Sequence, residues 1–267
     1  MIYLDANATT PVLPEVLEAM LPWLREGYAN PSSSYGPAKA ARRAIEEARI
    51  QVAELIGAEP EEIVFTGGGT ESVNTALHSL DRLSGEGAAV VSAIEHSAVL
   101  RYVEKLDRGA SLVPVDAGGR LDVAALTKVL EGAAFVSIMA ANNETGIVQP
   151  VMEVAELARG RGVPVHSDAI QAIGKIPLDV RKLGVDMLSL SAHKFHGPKG
   201  VGALWVRGGL RFEPLLHGGG QESGRRGGTE NTAGIVGMGA AALCAKSCLS
   251  GRSDGGGAFL RDAFESK

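Results

Sequence analysis

The chain joins an apolar run to a polar turn in the residues Val185-Asp186-Met187-Leu188-Ser189-Leu190-Ser191-Ala192-His193-Lys194. The run predicts a buried strand, and Gly162-Val163-Pro164-Val165 before His166-Ser167-Asp168 repeats the arrangement. Open α/β sheets bind ligands just past the carboxyl ends of their parallel strands. The two blocks therefore put an amine, Lys194, and a carboxylate, Asp168, where a ligand site is expected.

Around these blocks, short apolar runs alternate with longer amphipathic stretches. This alternation predicts an α/β fold with a mostly parallel seven-stranded sheet and helices on both faces. The final strand follows its predecessor after only about ten residues, too few for a crossover helix, so we expect it to be antiparallel. The predicted strands are Ile63-Phe65, Ala89-Ala93, Ser111-Val115, Phe135-Met139, Val163-His166, Met187-Leu190 and Val201-Val206. The predicted helices are Ala38-Ile56, Thr70-Leu83, Ala98-Leu106, Val123-Leu130, Met152-Arg161 and Ala233-Leu249.

Composition favours a cytoplasmic globular protein. The 267 residues are 45% hydrophobic and 21% charged, and the net charge of −5 gives no reason to expect a nucleic-acid partner. No uninterrupted apolar run approaches the ~20 residues that span a bilayer, so we expect no membrane partner. The 2 cysteines, Cys244 and Cys248, suit neither a disulfide framework nor a metal site. We expect both to be small buried side chains and expect no metal.

The pattern changes towards the end of the chain. A Gly/Arg-rich loop from His217 to Gly228 precedes a helix, and a polar glycine-rich break follows at Ser250-Gly257. The sequence then stops inside another helical pattern, Ala258-Phe264, whose apolar residues lack a following partner. We therefore expect an N-terminal segment near the ligand site (1–15), a large domain that binds the ligand (16–249) and the start of a truncated small domain (250–267).

A glycine-rich turn is the first candidate for binding a ligand. Ile63-Val64-Phe65-Thr66 reads as a strand, and Gly67-Gly68-Gly69-Thr70 opens the helix that follows. Free N–H groups and the positive end of a helix favour an anion such as phosphate. The motif matches neither the dinucleotide nor the P-loop fingerprint. A tight turn capped by Thr70 explains it equally well.

Two further blocks follow predicted strands. His96, in Ile94-Glu95-His96-Ser97, could stack on an aromatic cofactor, although a histidine in this position is more often a helix cap or a surface residue. Asn142-Asn143-Glu144 could contact a phenolic oxygen, or it could form an ordinary Asn/Gly turn.

The pair Lys194 and Asp168 suits an aldehyde cofactor with a pyridine ring. A lysine forms a Schiff base with the aldehyde, and an acid keeps the ring nitrogen protonated. Such a lysine works best with a lowered pKa, which burial provides. A solvated loop lysine is the alternative for Lys194, but the other blocks agree with the cofactor interpretation.

Together these residues resemble the cysteine desulfurases of the class V aminotransferase family, which use pyridoxal phosphate on the aspartate-aminotransferase fold (fold type I). The resemblance covers residues 3 to about 239. Its motifs occur in the family's order: Tyr3-Leu-Asp-Ala-Asn-Ala-Thr-Thr-Pro11, Asn30-Pro-Ser-Ser33, Phe65-Thr-Gly-Gly-Gly-Thr-Glu-Ser72, Glu95-His96, Asn142-Asn-Glu144, His166-Ser-Asp-Ala-Ile-Gln171, Ser191-Ala-His-Lys194, Gly197-Pro-Lys-Gly200, His217-Gly-Gly-Gly-Gln-Glu222 and Gly227-Gly-Thr229.

The resemblance implies a role for each matched residue. Phosphate is expected at Gly69, Thr70, Ser191 and His193. The resemblance further implies that His96 stacks on the ring and that Asn143 and Gln171 approach the ring hydroxyl. It also implies that Asp168 pairs with the ring nitrogen and that Lys194 holds the aldehyde. His96, Asp168 and Lys194 are the expected catalytic residues, and Asn30 is an expected substrate contact. Thr229 is expected to reach the phosphate of a partner subunit, because this family forms its site at a homodimer interface.

The implied reaction removes sulfur from L-cysteine, giving L-alanine and an enzyme persulfide. The sulfur then passes to an acceptor protein, such as an iron–sulfur scaffold, or to tRNA thiolation. The family's nucleophilic cysteine and its carboxylate-binding arginine lie beyond the matched region, so we expect the 267-residue chain to be inactive alone. Tyr35 replaces the usual histidine. The alternatives are a selenocysteine lyase, a small-molecule aminotransferase, or an inactive fragment that binds cofactor or dimerises.

Overall fold

The computed structural model describes residues 2–251 and 262–266. In chain order, the helices and strands of this part are α1 (Pro14–Arg25), α2 (Gly36–Ile56), β1 (Ile63–Thr66), α3 (Gly69–Leu83), β2 (Ala89–Ser92), α4 (Ser97–Val103), β3 (Ala110–Val113), α5 (Val123–Val129), β4 (Phe135–Ser137), α6 (Val151–Arg159), β5 (Val165–Asp168), α7 (Val180–Leu183), β6 (Met187–Ser191), β7 (Gly202–Val206) and α8 (Thr232–Gly251).

The strands form one seven-stranded sheet in the order β1-β7-β6-β5-β4-β2-β3. Strand β7 runs antiparallel to both of its neighbours, β1 and β6, and every other pairing is parallel. The predicted mostly parallel sheet is confirmed, and so is the antiparallel direction of its last strand. The carboxyl ends of the six parallel strands consequently meet at one edge of the sheet, where Asp168 and Ser191 end β5 and β6.

Alternating side chains divide the core between the two faces of the sheet. On β7, Ala203 and Trp205 pack into one apolar cluster, whereas Leu204 and Val206 pack into the other. Helices α2, α6 and α8 contribute to the first cluster and α3 and α4 to the second, which confirms helices on both faces. Burial on both faces explains why the strands read as continuous apolar runs.

Three strands differ from the sequence prediction by two residues at an end. Strand β5 runs from Val165 to Asp168 instead of from Val163 to His166. The other two differ for local reasons. Strand β3 ends at Val113 instead of Val115 because Pro114 has no N–H to continue the ladder. Strand β4 ends at Ser137 instead of Met139, because the N–H of Met139 donates to the carboxylate of Glu95 instead of to a neighbouring strand. Helix α1 was not predicted, since Pro14 and Pro22 interrupt its apolar pattern.

Helix α8 bears on two expectations and corrects the one about the cysteines. By length and composition it is one segment of the described chain that could cross a bilayer, a criterion that core helices also meet, and it packs on α1 and α2. It also carries both cysteines, but Cys248 is exposed and Cys244 is only half-buried. The expectation of two buried cysteines was wrong, since the last turns of α8 leave both side chains at least partly open to solvent.

The predicted last helix, Ala258-Phe264, lies partly outside the described residues. Residues 262–265 are helical, and the side chain of Phe264 is 82% exposed. The proposed boundary between a large domain and a small one at residue 250 stays a prediction.

Candidate functional site

A cavity of about 490 Å³ opens at the sheet edge where the parallel strands end. Nine of the ten residues expected to bind the cofactor line it: Gly69, Thr70, His96, Asn143, Asp168, Gln171, Ser191, His193 and Lys194. They come from five separate segments of sequence, and the fold brings all five to one place.

Two of the expected residues lie elsewhere. Thr229 lines a separate cavity of about 120 Å³ beside Gly67 and Arg226. Asn30 is exposed, does not line the larger cavity, and its Oδ1 atom accepts a hydrogen bond of 2.9 Å from the N–H of Ser32. The interpretation of Thr229 requires a partner subunit and stays a prediction, as does substrate contact by Asn30.

The glycine turn forms one end of the cavity at the N-terminus of α3. Gly68 has φ 145°, which is open to glycine alone. A Cβ atom on Gly69 would lie 2.4 Å from Cδ1 of Ile170, so the backbone here approaches the cavity wall as closely as glycine allows. Within residues 2–251 and 262–266 the hydroxyl of Thr70 makes no hydrogen bond, and it is exposed at the cavity. The turn thus presents a helix N-terminus and a free hydroxyl to an anion.

Asp168 supplies a buried carboxylate to the cavity lining. It is 5% exposed, and its Oδ1 atom accepts a hydrogen bond of 2.9 Å from the N–H of Ile170. Burial raises the pKa of Asp168, while this hydrogen bond and the charges of His96 and Lys194 act in the opposite direction. A cation placed against Asp168 would remove the cost of burying its charge.

Lys194 is half-buried, and burial lowers its pKa, although Asp168 and Asp5 oppose the shift. Its Nζ atom donates to the backbone carbonyl oxygens of Asn7, at 2.5 Å, and Ala8, at 3.1 Å. A lowered pKa increases the fraction of uncharged amine, which is the form that attacks an aldehyde.

His96 both caps a helix and lines the cavity, as the two interpretations of its sequence position require. Its Nδ1 atom accepts a hydrogen bond of 3.1 Å from the N–H of Ala98, which caps helix α4, and its ring also lines the cavity. Because Nδ1 is an acceptor, the proton of a neutral ring lies on Nε2. The cap holds the ring in one orientation at the cavity wall.

The two adjacent asparagines take different positions. The Oδ1 atom of Asn142 accepts hydrogen bonds from the N–H groups of Glu144 and Thr145, both at 2.9 Å, and so forms the predicted turn. Asn143 lines the cavity instead. The side-chain amide of Gln171 donates to the carbonyl oxygen of Asn7 at 2.9 Å, and its oxygen accepts from Lys175.

A polar network lies beneath Asp168 in the centre of the sheet. The ring of His166 bridges the hydroxyls of Ser137 on β4, at 2.8 Å, and Ser189 on β6, at 2.9 Å. All three residues are fully buried, and burial lowers the pKa of His166 to about 3. His166 is therefore neutral, and it ties together the three strands that carry one wall of the site.

The expectation that the N-terminal segment lies near the site left open which of its atoms reach the cavity. Asp5, Asn7 and Ala8 line it, and this segment is held by backbone contacts, including the N–H of Thr10 to the carbonyl of His193 at 2.9 Å. The motif Asp5-Ala-Asn7 was part of the family resemblance, but backbone carbonyls that bind Lys194 leave no mark in side-chain patterns.

The chain matches the family model described as "Aminotransferase class-V" over residues 2–248. It is 51% identical to the cysteine desulfurase of Cereibacter sphaeroides, over 99% of this chain and 69% of that protein. It is 49% identical to the cysteine desulfurase IscS of Dictyoglomus turgidum, over 90% of this chain and 62% of that protein. The chain thus spans about two thirds of the length of these curated relatives.

Solved structures agree with the assignment of the fold. A NifS-like protein is 44% identical with a TM-score of 0.89, over 93% of this chain and 70% of that one. A structure titled "SspA in complex with cysteine" is 41% identical with a TM-score of 0.86, over 91% of this chain and 72% of that one. The expected fold type I architecture is confirmed. Because the family model matches most of its residues, the chain belongs to the class V aminotransferase family.

Proposed function

We propose that the cavity binds pyridoxal phosphate and that the protein is a cysteine desulfurase. The family is dependent on pyridoxal phosphate. The observation that carries the proposal for this chain is the cavity itself, which has a helix N-terminus at one side and a buried acid and a partly buried lysine among its other walls. This set of groups fits a ligand with a phosphate, a basic ring nitrogen and an aldehyde.

Each group has a role that follows from its position. The α3 N-terminus and the Thr70 hydroxyl would hold the phosphate, with Ser191 and His193 beside them. Asp168 would hold a proton on the ring nitrogen, since its buried charge needs a cation. The capped ring of His96 would stack on the cofactor, and Asn143 would approach its hydroxyl. When bound, pyridoxal phosphate supplies an aldehyde that condenses with amines and a protonated ring that withdraws electrons from the substrate.

Lys194 would hold the cofactor and move protons. Burial holds its Nζ atom closer to neutrality than that of an ordinary lysine, so this nitrogen would be able to take up a proton when it is not bonded to the cofactor. The carbonyl oxygens of Asn7 and Ala8 accept hydrogen bonds from that nitrogen and can keep it beside the cavity. An amine so placed is suited to act as a general base on the substrate.

We further propose L-cysteine as the substrate and L-alanine as the product, with the sulfur passing to a thiol. The similarity to two curated cysteine desulfurases and to a structure titled as a cysteine complex supports this. The receiving thiol is neither Cys244 nor Cys248. Both lie on α8 and outside the cavity lining, and burial raises the pKa of Cys244, so it is not an activated thiolate.

A homodimer is part of the same proposal. Thr229 is exposed and lines the separate 120 Å³ cavity with Gly67, not the 490 Å³ cavity, so its contact with a phosphate would require that of a neighbouring subunit. A sulfur-acceptor protein would then receive the persulfide, and we place the protein in the cytoplasm.

Reconstitution with pyridoxal phosphate tests the proposal. We expect the protein to gain a visible absorbance band, to lose it in Lys194→Ala, and to keep it in the matched variant Lys175→Ala. Lys175 is a second partly buried lysine beside the site whose pKa burial lowers to about 8, so it controls for nonspecific labelling of a reactive amine. A wild type that stays colourless, or a band lost equally in both variants, would contradict the assignment.

Activity tests the substrate. With cysteine and an added small thiol, we expect the reconstituted protein to release alanine only slowly, and Cys244→Ser with Cys248→Ser to leave that rate unchanged. A rate that falls in the cysteine variants would show that a helix α8 thiol takes the sulfur after all.

A further inference from the structure

Glu95 is a buried acid that the proposed reaction does not use. It lies between the end of β2 and His96, the N-cap residue of α4, and is 5% exposed. Among the described residues its Oε2 atom has no hydrogen-bond partner, although that atom is buried. A buried ionised carboxylate with an unpaired oxygen is costly, so its presence beside the cavity requires an explanation.

The other carboxyl oxygen joins two strand ends. Oε1 of Glu95 accepts hydrogen bonds from the hydroxyl of Ser92, the last residue of β2, at 2.6 Å and from the N–H of Met139, just past β4, at 2.8 Å. Met139 lines the cavity, and so does His96, which is bonded directly to Glu95 in the chain. One carboxyl group therefore fixes the backbone at two points of the cavity wall.

The contact with Met139 also reaches Asp168. The residue after Met139, Ala140, donates its N–H to the backbone carbonyl of Asp168 at 2.8 Å. The side-chain amide of Asn142 donates to the carbonyl of Ile94 at 3.1 Å, which closes the same segment onto the β2 end. The strand ends that carry His96, Met139 and Asp168 are thus connected through Glu95.

The charges around Glu95 favour its neutral form. Burial raises the pKa of Glu95 to about 8; the hydrogen bonds from Ser92 and Met139 oppose this shift, and the charge of Asp168 adds to it. The other titratable groups beside it are His96 and Glu144, which lines a neighbouring cavity with it. A protonated Glu95 accepts the same two hydrogen bonds without adding a second negative charge beside Asp168.

We propose that Glu95 is a positioning residue of the cofactor site, a neutral acid that locks the β2 and β4 ends so that His96 and Met139 hold their places in the cavity wall. The positioning role rests on the proposed binding of pyridoxal phosphate. The inference that Glu95 is buried and neutral does not rest on cofactor binding, because the protonation state of Glu95 can be measured on the cofactor-free protein.

The first arm measures unfolding of the cofactor-free protein as a function of pH. The folded-state pKa of Glu95 is raised from 4.5 to about 8, so its contribution is fully present below pH 4.5 and is lost as pH rises towards 8. Relative to Glu95→Gln, which cannot ionise, the unfolding equilibrium constant of the wild type is expected to rise by up to about tenfold per pH unit between pH 5 and 8. The control Glu144→Gln, at an exposed acid, is expected to show a constant ratio. If the unfolding constant of the wild type divided by that of Glu95→Gln did not change with pH, the inference that the buried Glu95 is neutral would be overturned.

The second arm measures affinity for pyridoxal phosphate at pH 7. Glu95→Gln keeps an acceptor for Ser92 and Met139, and we expect its affinity to stay within about threefold of the wild type. Glu95→Ala leaves the N–H of Met139 unpaired, and we expect an affinity on the order of tenfold weaker in the folded fraction. Glu95→Met, which keeps the volume but offers no comparable acceptor, replaces the alanine variant if that protein does not fold.

The outcomes separate the two proposals. Alanine or methionine variants that fold less stably but bind pyridoxal phosphate like the wild type would show that Glu95 is merely structural, and would overturn the positioning role. A wild type that binds no pyridoxal phosphate would refute both the proposed function and the positioning role, and the pH arm would still decide the protonation state of Glu95.

Discussion

Replacement of Glu222 by glutamine is expected to destabilise the fold strongly, because Glu222 forms a buried ion pair. Its two carboxylate oxygens accept hydrogen bonds from Nη1 and Nη2 of Arg49, both at 2.8 Å, and one of them also accepts from the N–H of Phe65 at 2.8 Å. The side chains of Arg49 and Glu222 are 9% and 2% exposed. The guanidinium of Arg49 also lies 4.8 Å from the centre of the Phe65 ring.

The magnitude follows from what the substitution leaves behind. Glutamine keeps the shape and one acceptor, but the buried guanidinium of Arg49 loses its buried counter-charge and keeps only the exposed carboxylate of Glu46, 3.1 Å from its Nε atom. Breaking a buried pair from one side costs about 3–5 kcal/mol. The pair of Glu54 and Lys246 has the same 2.8 Å separation, but its side chains are 50% and 46% exposed, so Glu54→Gln is expected to cost only about 0–1 kcal/mol.

Urea-induced unfolding, followed by circular dichroism, measures both variants. We expect the free energy of unfolding to fall several times further in Glu222→Gln than in Glu54→Gln, with little change in the denaturant slope. Equal losses in the two variants would refute the reasoning that burial, and not contact distance, decides the energy of these pairs. The result also bears on the site. Glu222 anchors the Gly/Arg-rich loop that carries Arg226, and Nε of Arg226 donates to Oε1 of Glu71, in the first turn of α3, at 2.8 Å.

Two further substitutions test the site and the sheet beneath it. Gly69→Ala would place a Cβ atom 2.4 Å from Cδ1 of Ile170, and we expect it to weaken pyridoxal phosphate binding by on the order of tenfold. The control Gly36→Ala is expected to bind the cofactor normally. A Cβ atom on Gly36 would meet no heavy atom of the described residues within 4 Å, apart from its own helix backbone and chain neighbours. The pKa of His166 is lowered from 6.5 to about 3. The contribution of its neutral ring to the free energy of unfolding is therefore fully present above pH 6.5, and it falls by roughly 1.4 kcal/mol per pH unit as the pH drops towards 3. His166→Gln is expected to lack this acid-dependent loss in urea-unfolding measurements, and parallel curves for variant and wild type would contradict the buried neutral ring.

Most of the sheet could be predicted from sequence because burial on both faces makes strands such as β1, β2 and β7 compact apolar runs. Strand β7 shows that even the direction of a strand followed from the length of its connection. Helix α1 could not be predicted, because Pro14 and Pro22 break the usual helical signals while its packing against α8 stabilises it.

The site was predictable to the extent that its residues follow strands. Asp168 and Lys194 do so, and the parallel sheet brings them to one edge. Three features could not be predicted: the carbonyl oxygens of Asn7 and Ala8 at Lys194, the burial of Glu95, and the surroundings of Thr229. The first two depend on which backbone groups and side chains pack together in three dimensions, which no local pattern specifies. The role proposed for Thr229 would depend on a second subunit.

Covalent trapping at Lys194 tests the central claim most directly. The protein would be incubated with pyridoxal phosphate, reduced with borohydride, digested and analysed by mass spectrometry. We predict that the reduced cofactor label is found on Lys194, and that free phosphate competes with labelling, as the proposed anion site at Gly69 requires. A label found mainly on Lys175 or Lys199, or spread over surface lysines without competition by phosphate, would contradict the account.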